Sequence, residues 1–194
     1  MNIVDEYLLL TISAAESAID LLRSSEGEYL REHSYQKDLH CEIKAKADRI
    51  LEELIFEHLM PTGLSILSEE RGELHGSKNS PLRFIIDPLD GTMNFVRGLG
   101  MSSISIALYS ENTPLFGVLA LYPSGDIVWG GKSLGSFLNN NPINVSSICK
   151  VDNSVLCTGF PSRFDFKDID FTKDFYKIVS DFGKTRMLGS ASIS

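Results

Sequence analysis

Acidic side chains gather at two places where an apolar run ends. Phe84-Ile85-Ile86 leads into Asp87, Pro88, Leu89 and Asp90, with Gly91, Thr92 and Asn94 following; Leu64 to Leu67 leads into Ser68, Glu69 and Glu70. Two carboxylates forced together repel, and one keeps its proton unless a cation sits between them. Hard cations such as Mg²⁺ take oxygen ligands, usually a few carboxylates plus the oxygens of a phosphate. Pro88 would fix a turn that aims the Leu89 carbonyl inward, and Gly91 lets backbone approach a ligand closely. A short helix starting after Asp90 would point the Gly91 and Thr92 amides at an anion. These types and spacings suit adjoining cation and phosphate sites. Taken alone, DPLDGT is explained equally well by an ordinary turn with an aspartate cap. SEERGE alone reads as a solvated loop. Strands ending side by side would put Glu69 beside Asp87.

Other chemistries fit less well. The haloacid-dehalogenase pattern DxDxT spaces its aspartates two apart, whereas here the spacing is three with a proline between. His33, His40, His58 and His75 show no ligand spacing and are expected on loops or helix surfaces. No Ser/His or Cys/His pairing stands out. Cys41, Cys149 and Cys157 form no CxxC pair, so buried thiols in a reduced, cytoplasmic compartment are expected.

The elements that must position the acids can be read from periodicity. Ile3, Tyr7, Leu10, Ala14, Ala18 and Leu21 predict a helix over residues 3–23, and residues 24–40 are expected as loop. Ala47, Ile50, Leu51, Leu54, Ile55 and Leu59 predict a second helix, closed by Pro61 and Gly63. Strands are expected at 64–67, 82–86, 103–109, 115–121 and 126–129, with a charged loop after Glu69-Glu70. ENT and PSGD separate the later ones as turns, so an antiparallel meander is expected. A short strand pair around NNNP, a strand at 155–160 and a helix at 171–182 complete the pattern. Two helices followed by strands define an α+β chain.

At 194 residues, 43% apolar and 23% charged, the chain has the make-up of a globular protein with a sizeable core. A net charge of −8 argues against a general nucleic-acid or membrane-surface binder. The acidic amino terminus lacks the basic start of a signal peptide, and no apolar run reaches membrane-spanning length.

Three stretches together, EIKAKAD (42–48), SEE (68–70) and IIDPLDGTMNF (85–95), make the chain resemble the inositol monophosphatase family. These are lithium-sensitive, Mg²⁺-dependent phosphatases of a superfamily that includes fructose-1,6-bisphosphatases and bisphosphate nucleotidases. The likeness continues through FGVLALYPSGDIVWG and GSFLNNNPINVS to RMLGSAS. It implies a layered α/β/α/β sandwich and a cytoplasmic homodimer acting on a small phosphorylated substrate, with no nucleic acid or membrane partner. Position by position, it implies that Glu69, Asp87 and the Leu89 carbonyl hold one Mg²⁺, and that Asp87 and Asp90 share a second. Thr92 would orient the attacking water, with Asp48 accepting from its hydroxyl and Glu69 assisting. The Gly91 and Thr92 amides would grip phosphate, while Asp90, Gly189, Ser190 and Ala191 would meet the substrate alcohol. Lys37 would steer anions or simply lie on the surface.

The resemblance has gaps. The family's later WDxAAG-like motif, whose aspartate completes the second metal site, does not occur before Ser194. The expectation is a metal- and phosphate-binding domain over 1–150 and an incomplete second α/β domain over 151–194 of a longer protein. A natural short form with a weakened second site is the other reading. Ser68, Met93 and Arg97 stand where the family has glycine, threonine and histidine. The implied activity is Mg²⁺-dependent hydrolysis of inositol monophosphate or a related polyol or sugar phosphate. The alternatives are a 3′(2′),5′-bisphosphate nucleotidase of the same fold and a catalytically weak metal- or phosphate-binding form.

Overall fold

A computed structural model describes residues 3–35, 43–160 and 167–194. Lys37, His40, Cys41 and Asp165 lie outside them. Helix α1 (Ile3–Arg23) buries Tyr7, Leu8, Thr11, Ala14, Ala15, Ala18, Ile19 and Leu22. This stripe is turned from the one expected: Ile3 is exposed, and Leu10 and Leu21 flank the face. The alanines let the helix lie close to the sheet, which a larger side chain would prevent.

A 3₁₀ turn (Tyr29–Arg31) and a short strand, β1 (His33–Tyr35), occupy part of the region expected as loop, and β1 pairs antiparallel with β2 (Ile43–Ala45) beyond it. Helix α2 (Lys46–Leu59) follows and buries Ala47, Leu51, Ile55, Phe56 and Leu59. It stops at a second 3₁₀ turn, whose Gly63 has φ 72°, as a left-handed helix end requires.

The strands are β3 (Ser65–Ser68), β4 (Gly72–Leu74), β5 (Leu82–Asp90), β6 (Ser102–Ser110), β7 (Thr113–Tyr122), β8 (Ile127–Gly131), β9 (Gly135–Leu138) and β10 (Asn141–Pro142). They form one eight-stranded sheet in the order β10-β9-β8-β7-β6-β5-β3-β4. The meander β6 to β8 is antiparallel as expected and extends to β5 on one side and β9 on the other, but β3 runs parallel to β5, so the sheet is mixed. A parallel neighbour needs a crossover, which the chain supplies through β4 and the segment after it. The charged stretch after Glu70 is thus partly a strand, pairing Ile66 with Leu74. α1 and α2 cover one face, where Phe84, Ile86, Ile104, Ile106, Leu108, Phe116, Val118 and Ala120 form the core with them. The result is an α+β sandwich.

Residues 143–150 have no regular structure. Beyond them β11 (Val155–Thr158), helix α4 (Ile169–Ser180) and β12 (Lys184–Met187) make a strand–helix–strand unit with parallel strands. Asp168 caps α4 by accepting from the Phe171 N–H at 3.0 Å. The expectation of buried thiols fails at Cys149, which is exposed in the irregular segment, and Cys157 is half-buried in β11. Among the described residues no helix is long and apolar enough to cross a membrane.

Candidate active site

The acidic motif lies within strand β5, which continues through the proline to Asp90 instead of turning at Asp87. Residues three apart on a regular strand face opposite sides of the sheet. Here Asp87 pairs with Ser105 and Asp90 with Ser103, so three steps on β5 match two on β6. This bulge inserts one residue and returns both carboxylates to one face, away from the helices. Pro88 is tolerated because the bulge interrupts the ladder where its missing N–H would be needed.

Glu69 follows the end of β3. The parallel register sets Ser68 beside Ile86, and the Glu69 N–H donates to the Ile86 carbonyl at 3.1 Å. Glu69 therefore meets Asp87, and the two carboxyl groups share a side-chain hydrogen bond. The Asp87 carboxyl is pushed up to about 8, by burial first, then by the Glu69 charge and hydrogen bond, then by the Asp90 charge; the Leu89 N–H pulls it back. That N–H donates to Asp87 Oδ1 at 3.1 Å.

Asp90 is surrounded differently. Its Oδ2 accepts from Ser190 Oγ at 2.7 Å, from the Ser192 N–H at 2.7 Å, and from Ser192 Oγ. Burial alone would raise its pKa, but the bonds from Ser192, Ser190 and Ala191 together hold it below the ordinary carboxylate value.

After Asp90 the chain reverses at Gly91, with φ 82°, into the five-residue helix α3 (Thr92–Val96). A Cβ at Gly91 would meet the Met101 carbonyl at 3.0 Å and Ser190 Cβ at 3.1 Å, so conformation and space both require glycine. Thr92 Oγ1 lies 3.2 Å from Asp48 Oδ1 and 3.0 Å from the Leu89 carbonyl. Asp48 is held in turn because it sits in the first turn of α2 and accepts from the Ala45 N–H at 2.6 Å.

The structure thus brings Glu69, Asp87, Leu89, Asp90, Gly91, Thr92 and Asp48 together with the turn that carries Gly189, Ser190 and Ala191. A cavity of 540 Å³ opens beside that turn, lined also by Cys157 to Phe160 and Ser194. Arg97 is exposed.

Several supporting residues were not anticipated. Asn94 Nδ2 donates to the Met101 carbonyl at 2.9 Å and to the Leu188 carbonyl at 2.7 Å, tying α3 to the last turn. Glu52, fully buried, accepts from Ser68 Oγ and from the Arg71 N–H at 3.2 Å. Its Oε2 pairs with Arg71 Nε at 2.6 Å, which pins the Glu69 loop to α2. The sequence did carry one signal for this clamp: Glu52 is an acid on the apolar face of a helix, and buried acids need partners.

The donors available to a cation are oxygens throughout. Among the described residues no three acidic, histidine or cysteine side chains form a closed metal-holding group. What exists is a carboxylate pair, Glu69 with Asp87, a neighbouring carbonyl at Leu89, and Asp90 close enough for its charge to act on Asp87. That set fits a hard divalent ion, which binds through one or two carboxylates and keeps places for water and phosphate. The crowding that raises the Asp87 pKa, burial first and then the Glu69 and Asp90 charges, is of the kind that a cation would offset.

A mixed α+β sandwich with an acidic, oxygen-lined site at a strand bulge defines the structural class. A sequence profile of the inositol monophosphatase family matches residues 4–194. The chain belongs to this family. It is 30% identical over 197 residues to inositol monophosphatase 3 of Solanum lycopersicum, an alignment spanning 98% of the chain and 72% of that protein. It is likewise 30% identical over 151 residues to the inositol-1-monophosphatase of Mesorhizobium japonicum, covering 77% of the chain and 56% of the relative. The extragenic suppressor protein suhB of Bartonella henselae superposes with a TM-score of 0.85 at 26% identity, over 97% of this chain and 72% of that one. The chain therefore spans between about half and three quarters of the length of these relatives.

Proposed function

We propose that this chain carries the catalytic site of a Mg²⁺-dependent phosphomonoesterase acting on inositol monophosphate or a related small polyol or sugar phosphate. The observation that supports this best is the meeting of Glu69 and Asp87 beside Asp90 and the Thr92–Asp48 pair. Glu69, Asp87, the Leu89 carbonyl and Asp90 would hold the ion. A hard dication held there supplies positive charge that offsets the phosphate oxygens and acidifies a neighbouring water.

The remaining steps belong to the chain itself. Thr92 has one hydroxyl proton, directed at Asp48 or the Leu89 carbonyl, so its lone pairs accept from a water and hold it for in-line attack on phosphorus. Glu69, exposed at the strand end, takes the proton that the water loses. The Gly91 and Thr92 amides begin α3, have no preceding helical carbonyls to bond, and donate to phosphate. The leaving alcohol faces Gly189, Ser190 and Ala191. Attack by water forms one P–O bond as the ester P–O bond breaks. The leaving oxygen takes a proton from solvent water, and Glu69 gives its proton back to solvent. Inorganic phosphate and the free alcohol result, with no covalent intermediate on the protein. We read residues 151–194 as the start of a second α/β unit, in keeping with the β11–α4–β12 crossover.

Phosphate release from inositol 1-phosphate tests the proposal. Turnover should require Mg²⁺, stop with a chelator, be inhibited by Li⁺ and fall at least about a hundredfold in Asp87→Asn, as removal of a strong transition-state contact does. Turnover that persists in chelator overturns it. A panel including fructose 1,6-bisphosphate and adenosine 3′,5′-bisphosphate then identifies the preferred ester.

A further inference from the structure

Ser192 and Ser103 extend the hydrogen bonds around Asp90 beyond the residues that the proposed chemistry uses. Ser192 contributes two donors to Asp90 Oδ2, its N–H at 2.7 Å and its hydroxyl, and Ser190 Oγ adds a third at 2.7 Å. A hydroxyl has a single proton. Since that of Ser192 is spent on Asp90, its contact with Ser103 Oγ makes Ser103 the donor. Ser103 is fully buried and pairs with Asp90 across β5 and β6, so these hydrogen bonds are anchored in the sheet.

We infer that Ser192 is a positioning residue for Asp90: together with Ser190 it holds Oδ2, the Ala191 N–H bonds the same carboxylate, and the group is thereby fixed in the orientation it offers to a divalent cation. This rests on the metal-site reading above. Groups behind a metal ligand fix its orientation, and losing one typically lowers metal affinity about 10- to 100-fold. The same turn walls the 540 Å³ cavity, so ligand orientation and cavity shape are set by one hydrogen-bonded segment.

Mg²⁺ binding to the metal-free chain, followed by calorimetry, tests this without any turnover. Ser192→Ala should weaken binding about tenfold, and Ser192→Thr, which keeps the hydroxyl, should restore it. Ser194→Ala is the control, because Ser194 Oγ braces the same turn by donating to the Ser190 carbonyl at 2.6 Å. It should stay within about twofold of wild type, well short of the loss expected at Ser192. Equal affinity of wild type and Ser192→Ala, with binding lost in Asp87→Asn, overturns the role of Ser192 and leaves the metal site standing. An equal loss in Ser194→Ala also overturns it, since turn integrity would then be the cause. No saturable binding by wild type removes the metal site and this inference together. A measurement on wild type alone covers a variant that fails to fold. The Ser192 amide resonance should shift along the Mg²⁺ binding curve, and a stationary resonance counts against the coupling.

Discussion

Asp87 and Asp90 share a strand, a sheet face and a motif, yet the protein treats their charges in opposite ways. Asp87 looks at another carboxylate and receives one backbone N–H, so its pKa is pushed up to about 8. Asp90 looks at Ser190 and Ser192 and is held below the ordinary carboxylate value despite burial. The bulge sets where the groups are, and the donors around them set whether they are charged. One end of the site lacks positive charge and the other is a prepared anion. Metal binding should therefore release a proton at the Asp87 end and none at Asp90.

The largest expected effect lies in the pH dependence of the metal-free protein. Folded Asp87 keeps its proton up to about 8, whereas its ordinary value is 3.8, so the folded state binds more protons between those limits. The stabilisation is fully present below the unfolded pKa and is lost as pH rises through the folded one, with a slope of up to about 1.4 kcal/mol per pH unit. Asp90 has the reverse sign: its contribution is present above the ordinary value and is lost as pH falls through its depressed one. Urea midpoints from pH 4 to pH 8 should fall in wild type, and Asp87→Asn should flatten the fall. A flat wild-type profile breaks the contrast.

The second effect concerns how each end is held. The Asp90 end uses neutral hydroxyls and an amide, whereas the Glu69 end hangs on the Glu52–Arg71 ion pair, with the guanidinium also 5.3 Å from the Phe56 ring centroid. Removing one partner of a buried pair strands the other, at a cost of about 3–5 kcal/mol. The Arg71 side chain is 41% exposed while Glu52 is 0%, so water screens one side only. Arg71→Ala should accordingly cost about 3 kcal/mol, at the low end of that range. Melting should drop by roughly 6–12 °C for a chain of this size. Amide exchange in residues 188–194 should not change; faster exchange there would show that the two ends are not held independently.

What could be read from sequence follows the range of the forces involved. Helical periodicity located α1 and α2 because burial repeats along them, but it chose Leu10 and Leu21 over Leu8 and Ile19, since both sets are apolar and only packing selects between them. Alternating strands and the ENT and PSGD turns exposed the β6 to β8 meander. The parallel β3–β5 pairing was not legible, because register between distant segments leaves no local pattern. The acids of the motif could be named from their types and spacing. The bulge that puts Asp87 and Asp90 on one face could not, and the proline suggested a turn instead. Ser192 and Ser103 look like any surface serines until a contact across 89 residues joins them.

The smallest effect sharpens the comparison at the Asp90 end. Asn94 Nδ2 holds two carbonyls, those of Met101 and Leu188, and Gly189 can follow only because it adopts φ 72° against the Asn94 side chain. Asn94→Ala removes both bonds and leaves the carbonyls to find water, which should cost about 1–2 kcal/mol. The loss should be local, because Leu188 begins the turn that delivers Ser190 and Ser192 to Asp90. Amide exchange in 188–194 should speed up about tenfold, with β6 and β7 unaffected. Urea titration should show the Asp90 end loosening while the downward pH slope from Asp87 persists. If that slope vanished as well, the two carboxylates would be one electrostatic unit instead of two separately tuned ends of a site.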